Sequence, residues 1–408
     1  MIIERPKEVG KIKRMRKWVI VYGRRKTGKT FLVENFVDYD EYFFVKRDRS
    51  IISKKDYKVM SYETFIEILK RALMDNKTIV VDEFHRLGED FFDFLHYIKR
   101  QGKLILISST LYLSKKLFST RSPLLGLFAE IPVHLIDLTD CLNALKKLEL
   151  GKKQLLETAI LLREPTAIEY FEYKRNARAM LADVLLASIK TIPALIGEIF
   201  IEEERNISAI YEGILRAIAN GKVVSSEISS YLFSKKLIKK DDPSIIQQYL
   251  NNLVAFGIIK RIGIFNKNRF VYKHVSPLTK IFYYADEKYN ISERAIREKE
   301  VKRIIDELFP MIVEDCVRES LAKRFGLEER VLQAKDYEVD GCLLKFKKPE
   351  IALEVKWKKN ISKEDIRRAE ENLQRIKARK RFLFVIDKKG LSSSAISIID
   401  VHDLVNKI

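Results

Sequence analysis

Cysteine and histidine are scarce in this chain. The three cysteines, Cys141, Cys316 and Cys342, show no C-x-x-C spacing, and the five histidines, His85, His96, His134, His274 and His402, are scattered. That pattern supports neither a disulfide framework nor a zinc site. Long hydrophobic runs are missing as well: no apolar stretch reaches the ~18 residues of a membrane span. The opening Met1-Ile2-Ile3-Glu4-Arg5-Pro6-Lys7-Glu8 carries no signal-peptide core. The expectation is a cytoplasmic protein with no membrane partner. Internal repeats and low-complexity tracts are also lacking.

Hydrophobic residues make up 47% of the 408 positions, enough for two to four domains with real cores. Positive charge is in excess, with a formal net charge of +20 and a pI near 9.5. A field of that size concentrates polyanions and speeds their capture, so nucleic acid is the natural partner, with double-stranded DNA favoured. The competing reading is a Lys/Glu/Ile-rich, heat-adapted surface whose charge is simply solvated.

The sharpest signal lies at residues 19–36. Gly23, Arg24, Arg25, Lys26, Thr27, Gly28, Lys29 and Thr30 form a full phosphate-binding loop, preceded by an apolar run from Trp18 to Tyr22 and followed by Phe31, Leu32 and Phe36 at helical spacing. Two glycines let backbone N–H groups curl around an anion, and the helix dipole favours the same charge. Lys29 would reach the β- and γ-phosphates, and Thr30 would offer its hydroxyl to Mg²⁺. The acid that must also hold the metal follows in Thr78-Ile79-Val80-Val81-Asp82-Glu83, a strand ending in two carboxylates. Asp82 would support Mg²⁺ and Glu83 would polarise the attacking water, which favours hydrolysis over mere binding.

A third strand, Lys103 to Ile107, runs into Ser108-Ser109-Thr110. Ser109 there would contact the γ-phosphate or the lytic water, or else begin a helix as a cap. Arg121 reads either as a finger acting between subunits of a nucleotide-dependent homo-oligomer or as a solvated side chain. The nucleotide core is expected over residues 1–140, ending in an apolar strand from Ile131 to Ile136.

Residues 141–205, rich in Leu, Ala, Lys and Glu at helical spacing, suit a helical lid on that core. Residues 206–290 outline a winged helix-turn-helix. A helix capped by Asp242 with Pro243 in its first turn carries Ile246, Leu250 and Leu253 inward and leaves Gln247, Gln248, Asn251 and Asn252 mostly outward. Strands Ile258 to Ile262 and Arg269 to Tyr272 then flank Asn266-Lys267-Asn268, a basic hairpin. The module would contact DNA or serve only protein contacts.

Residues 291–408 hold the second constellation. In the strand Ile351 to Trp357, Glu354 and Lys356 share one face, and a strand from Tyr337 to Asp340, expected to pair antiparallel with it, ends in a further carboxylate. Asp340 and Glu354 would hold one or two Mg²⁺, joined by Glu314 from the preceding helix, while Lys356 would orient or deprotonate water for attack on a phosphodiester. The plainer reading is a salt-bridged strand surface.

This order of parts resembles the archaeal AAA+/STAND-type ATPases, in which core, lid and winged helix precede a C-terminal nuclease-like domain. The likeness rests on Gly23 to Thr30, on Val80-Val81-Asp82-Glu83, on Ile214-Leu215-Arg216-Ala217-Ile218-Ala219-Asn220-Gly221-Lys222, and on Glu314, Asp340, Glu354 and Lys356, which match a PD-(D/E)xK pattern. The resemblance implies a multidomain α/β fold: a P-loop NTPase core with a parallel sheet, a helical lid, a winged helix, and a restriction endonuclease-like α/β domain. It implies ATP with Mg²⁺ as ligand, ATP hydrolysis as the activity and Mg²⁺-dependent DNA cleavage as a second one; a slow signalling switch with an inactive nuclease-like domain is the alternative. Departures are visible. Ile3-Glu4-Arg5-Pro6-Lys7-Glu8 stands in for the usual aromatic-Asn/Gly-Arg-Glu opening, Arg163-Glu164-Pro165 lacks the lid motif's glycine, and Leu127-Phe128 replaces an arginine pair.

Overall fold

The computed structural model describes residues 1–109, 126–202, 208–333 and 337–406. Thr110 and Arg121 therefore lie outside the described residues. The first half is built on strands β1 (Trp18–Tyr22), β2 (Glu41–Val45), β3 (Ile51–Ser53), β4 (Val59–Met60), β5 (Thr78–Asp82), β6 (Lys103–Ser108) and β7 (Phe128–Pro132). They form one seven-stranded sheet in the order β4-β3-β2-β5-β6-β1-β7. The run from β2 to β7 is parallel, and only β3 and β4 are antiparallel additions.

The central parallel strands β1, β5 and β6 are apolar and buried with little alternation because helices cover both faces. Successive residues enter opposite cores: Ile20, Val81 and Leu106 pack with Phe65 and Phe91 on one side, while Val19, Val80 and Ile107 pack with Leu32 and Val33 on the other. Leu32 and Val33 belong to the helix Lys29–Phe36, so the helix that follows the phosphate loop is clamped to the sheet by the second of these cores. The last core strand corrects the expected Ile131 to Ile136. It runs Phe128–Pro132, since each of these residues pairs with β1, and Pro132 ends the ladder.

Helices Leu138–Leu145, Lys152–Leu162, Ala177–Ala187 and Thr191–Glu202 follow. Their apolar residues do not form a separate core. Leu156, Leu162, Met180 and Leu185 join one cluster with Ile305, Leu308, Phe309 and Ile312 of the long helix Glu298–Phe325. Each such fully buried aliphatic side chain contributes about 1.5–3 kcal/mol relative to exposure, so the helical region and the C-terminal part are stabilised together. Among the described residues no single helix is long and apolar enough to cross a membrane.

Three helices, Ala209–Ala219, Ser225–Ser234 and Pro243–Ala255, precede an antiparallel hairpin of β8 (Ile259–Ile264) and β9 (Phe270–His274). Asp242 caps the third helix by accepting from Ser244 N–H, and Ile246, Leu250 and Leu253 are fully buried. Gln247, Gln248 and Asn251 are exposed, but Asn252 is not. Its amide is buried and donates to Tyr211 Oη at 2.6 Å, so it braces the first helix of the three.

The remaining strands are β10 (Arg330–Gln333), β11 (Glu338–Val339), β12 (Gly341–Lys345), β13 (Lys348–Lys356), β14 (Lys380–Val385) and β15 (Ser397–Ile399). Strand β10 pairs parallel with β8, which makes the hairpin sheet continuous with the C-terminal region in the order β11-β10-β8-β9. The other sheet runs β12-β13-β14-β15, antiparallel between β12 and β13 and parallel thereafter. The partner of β13 is thus Gly341–Lys345 rather than the expected Tyr337 to Asp340, because the turn falls at Phe346-Lys347 and sets the register Lys345 to Lys348.

Candidate functional site

The phosphate-loop residues gather at the carboxyl end of β1, between β6 and β7. Gly23 is held so close to the next strand that a Cβ would lie 2.1 Å from the Val133 carbonyl oxygen, and Gly28 starts the helix at φ +83°. Both positions demand glycine. Lys29 Nζ donates to the carbonyls of Gly23 at 2.9 Å and Arg24 at 3.0 Å, and Thr27 Oγ1 donates to Arg24 at 2.8 Å, which closes the loop on itself. Lys26 also takes a left-handed conformation. The Arg24 and Arg25 side chains turn away from the loop: Arg24 lies 3.5 Å from Glu164 and Arg25 lies 3.3 Å from Glu198.

Thr30 Oγ1 donates to Asp82 Oδ2 at 2.7 Å across the sheet edge. Tyr42 Oη donates to the same oxygen at 2.9 Å, and Glu83 N–H donates to Oδ1 at 2.8 Å. Burial raises the Asp82 carboxyl while the Thr30 and Tyr42 hydrogen bonds lower it. A hydroxyl and a carboxylate already in contact at a buried edge, beside a helix N-terminus, fit a Mg²⁺ with bound phosphates. Tyr42 was not foreseen, since nothing in a strand sequence shows which neighbour its hydroxyl meets.

Glu83 sits at φ +58°, and its carboxylate is held from several sides. Arg86 approaches Oε2 at 2.9 Å, His85 Nε2 lies at 3.4 Å, and Ser109 Oγ donates to it at 3.3 Å. Arg86 also donates to the Val45 carbonyl at 2.7 Å, which fixes it to β2. Ser109 is thus placed beside the expected base.

A cavity of about 300 Å³ opens next to Thr27, Gly28 and Phe31. Ile3, Arg5 and Pro165 complete its wall. Pro165 comes so near Gly28 that a Cβ there would meet its ring at 3.8 Å, so the helical segment after the core touches the loop. Arg5 is only 4% exposed and donates to the His134 carbonyl at 3.0 Å, and burial lowers its guanidinium from the ordinary value.

The second constellation is assembled only in part. Glu354 and Lys356 share a face, and Lys356 Nζ donates to Glu354 Oε1 at 2.6 Å; Asp340 Oδ2 accepts from Val355 N–H at 2.8 Å. Burial, then the charge of Asp340, pushes Glu354 up to about 7 and Glu314 up to about 8, so both respond to Asp340. Yet among the described residues no three His, Cys, Asp or Glu side chains converge to hold a metal ion. One oxygen of Asp340 is spent on backbone and one of Glu354 on Lys356, and the other Glu354 oxygen is buried without a partner. Sequence reasoning missed Asp315, next to Glu314, which is gripped by Lys273 at 2.5 Å and Arg318 at 2.5 Å.

Residues 15–138 match the family model described as an AAA domain. This stretch of the chain is thus similar to AAA domains. No curated protein matches the chain. Among solved structures the chain is similar to the Walker-type ATPase PABY2304 of Pyrococcus abyssi, at 18% identity over 69% of this chain and 96% of that chain, with a TM-score of 0.51. Identity that low shows shared fold. The ORC2 protein of Aeropyrum pernix, in ADPNP and ADP complexes, superposes at a TM-score of 0.38, with 11% identity over 76% of this chain and 94% of its own. The matched stretch holds the loop, Asp82, Glu83 and Ser109; Pro165 and Glu164 reach it from the segment beyond.

Proposed function

We propose that the AAA domain binds and hydrolyses ATP with Mg²⁺, and that nucleotide state governs how the rest of the chain engages DNA. The observation that carries this reading is the Thr30 Oγ1 to Asp82 Oδ2 contact of 2.7 Å, one helical position from Lys29 and beside a cavity large enough to admit a base. In this reading Lys29 exchanges the loop carbonyls for phosphate oxygens, Thr30 and Asp82 hold the metal, and Glu83 takes the proton of the attacking water. The bound Mg²⁺ supplies neutralisation of phosphate charge.

Residues 206–290 are read as a winged helix with Gln247, Gln248 and Asn251 outward, and the net charge of +20 favours a nucleic-acid partner. Glu164 supports coupling, because it faces Arg24 of the loop and accepts from Ser276 Oγ, the cap of the helix Pro277–Tyr289. ATP turnover measured with and without DNA over a salt series tests the reading. Turnover is expected to respond to DNA at low salt and to lose that response as salt rises. Glu83→Gln is expected to keep nucleotide binding and to lose turnover about a hundredfold. A chain whose turnover is indifferent to DNA at every salt concentration rejects the coupling.

A second reading, a slow-turnover switch with an inactive nuclease-like domain, is favoured by two observations. Arg86 occupies Glu83, and among the described residues no three His, Cys, Asp or Glu side chains form a metal-ligand group. No cleavage step is therefore derived for Asp340, Glu354 and Lys356. Plasmid incubated with Mg²⁺ or Mn²⁺ and either wild type or Lys356→Ala decides this point: equal outcomes support the inactive domain, and product from the wild type alone rejects it.

A further inference from the structure

The turn between β12 and β13 is built from Lys345, Phe346, Lys347 and Lys348, all exposed. Phe346 is 92% exposed. Its φ is +48° and that of Lys347 is +66°, the left-handed pair that two-residue hairpin turns need. Asn-Gly or Asp-Gly relieves that geometry, whereas a bulky aromatic is strained in it. The hairpin thus holds a phenyl ring in solvent at a position where sterics and the hydrophobic effect both disfavour one.

The turn itself carries only positive charge, and Glu328, bridged to Leu344 beside it, is paired with Arg330. None of the three lysines makes an ion pair among the described residues, and the nearest acid along β13, Glu350, is matched by Arg379 at 3.5 Å. An exposed aromatic framed by cations suits a base stacked on the ring with flanking phosphates on the lysines. Glu354 lies toward the other end of β13 and Asp340 just precedes β12, each about 20 Å from the turn at the usual rise per residue.

We propose that the Lys345-Phe346-Lys347-Lys348 tip is a nucleic-acid contact, in which Phe346 stacks on an unpaired base and the lysines hold the adjoining backbone. The proposal rests on the DNA-engagement reading above. A membrane surface also takes lysines with an aromatic, but a single ring buries too little area to anchor there, and the molecule's excess of +20 charges favours a polyanion throughout.

The test uses the full chain in four forms: wild type, Phe346→Ala, the double variant Phe346→Asn with Lys347→Gly, and Phe346→Trp. Affinity for single-stranded and duplex oligodeoxynucleotides is measured at fixed salt. Phe346→Ala is expected to weaken single-strand binding about tenfold while ATP turnover without DNA stays unchanged. The double variant is expected to lose the same affinity yet melt at a higher temperature, which a merely structural role of Phe346 would not produce. Phe346→Trp adds an exposed indole to Trp18 and Trp357, both buried, so its emission reports the tip and is expected to be quenched by the oligonucleotide. Wild-type binding that all three variants match overturns this proposal alone. Emission moved by anionic vesicles and not by oligonucleotide also overturns it. A wild type that binds no nucleic acid rejects the DNA reading itself.

Discussion

Arg86 holds Glu83. The guanidinium lies 2.9 Å from Glu83 Oε2 while a second nitrogen is anchored 2.7 Å from the Val45 carbonyl, so the carboxylate proposed to activate water is tied to β2. Freeing it should speed hydrolysis. Arg86→Ala is expected to raise ATP turnover in the absence of DNA about tenfold with nucleotide affinity unchanged. Steady-state turnover beside a binding titration checks this, and a variant that binds normally but turns over at or below the wild-type rate contradicts it.

Gly23 has no room for a side chain. A methyl group there would meet the Val133 carbonyl at 2.1 Å, and the neighbouring hydrogen bond from Val133 N–H to the Tyr22 carbonyl, 2.7 Å long, leaves that backbone little freedom to retreat. Gly23→Ala is expected to cost about 2–4 kcal/mol and to lower the melting temperature by several degrees. Denaturant unfolding measures it; a loss below about 0.5 kcal/mol would show that β7 yields easily.

The loop was legible because phosphate binding restricts residue types at fixed spacing. Gly23, Gly28, Lys29, Thr30, Asp82 and Glu83 are found at one sheet edge for that reason. Register was less legible. Phe128-Ala129-Glu130 does not read as a strand, yet pairing with β1 makes it one at the sheet's edge, and the turn at Phe346-Lys347 carries no glycine to announce it. Least legible was where carboxylate oxygens are spent. Asp315 meets Lys273 across 42 positions of sequence, and no spacing rule shows such a partner.

Asp140 is a buried acid whose carboxyl is pushed up to about 6, first by burial and then by the charge of Asp137. One of its oxygens has no hydrogen-bond partner. The folded state therefore holds the proton more tightly than the unfolded chain, so the wild type loses stability as pH rises from about 4 through 6. Asp140→Asn removes that titration. The variant is expected to match the wild type near pH 4 and to exceed it by about 1–2 kcal/mol at pH 7. Unfolding free energies at the two pH values check this, and an advantage that is the same at both contradicts it.

The central claim is that Gly23 to Thr30 cradle the phosphates of ATP, with Lys29 leaving the carbonyls of Gly23 and Arg24 to do so. Titration calorimetry with a slowly hydrolysed ATP analogue and Mg²⁺ tests it most directly, on the wild type and on Lys29→Ala. The account predicts saturable one-to-one binding by the wild type and affinity at least about a hundredfold weaker in the variant. Wild-type heats indistinguishable from dilution, or equal binding by both proteins, would contradict it.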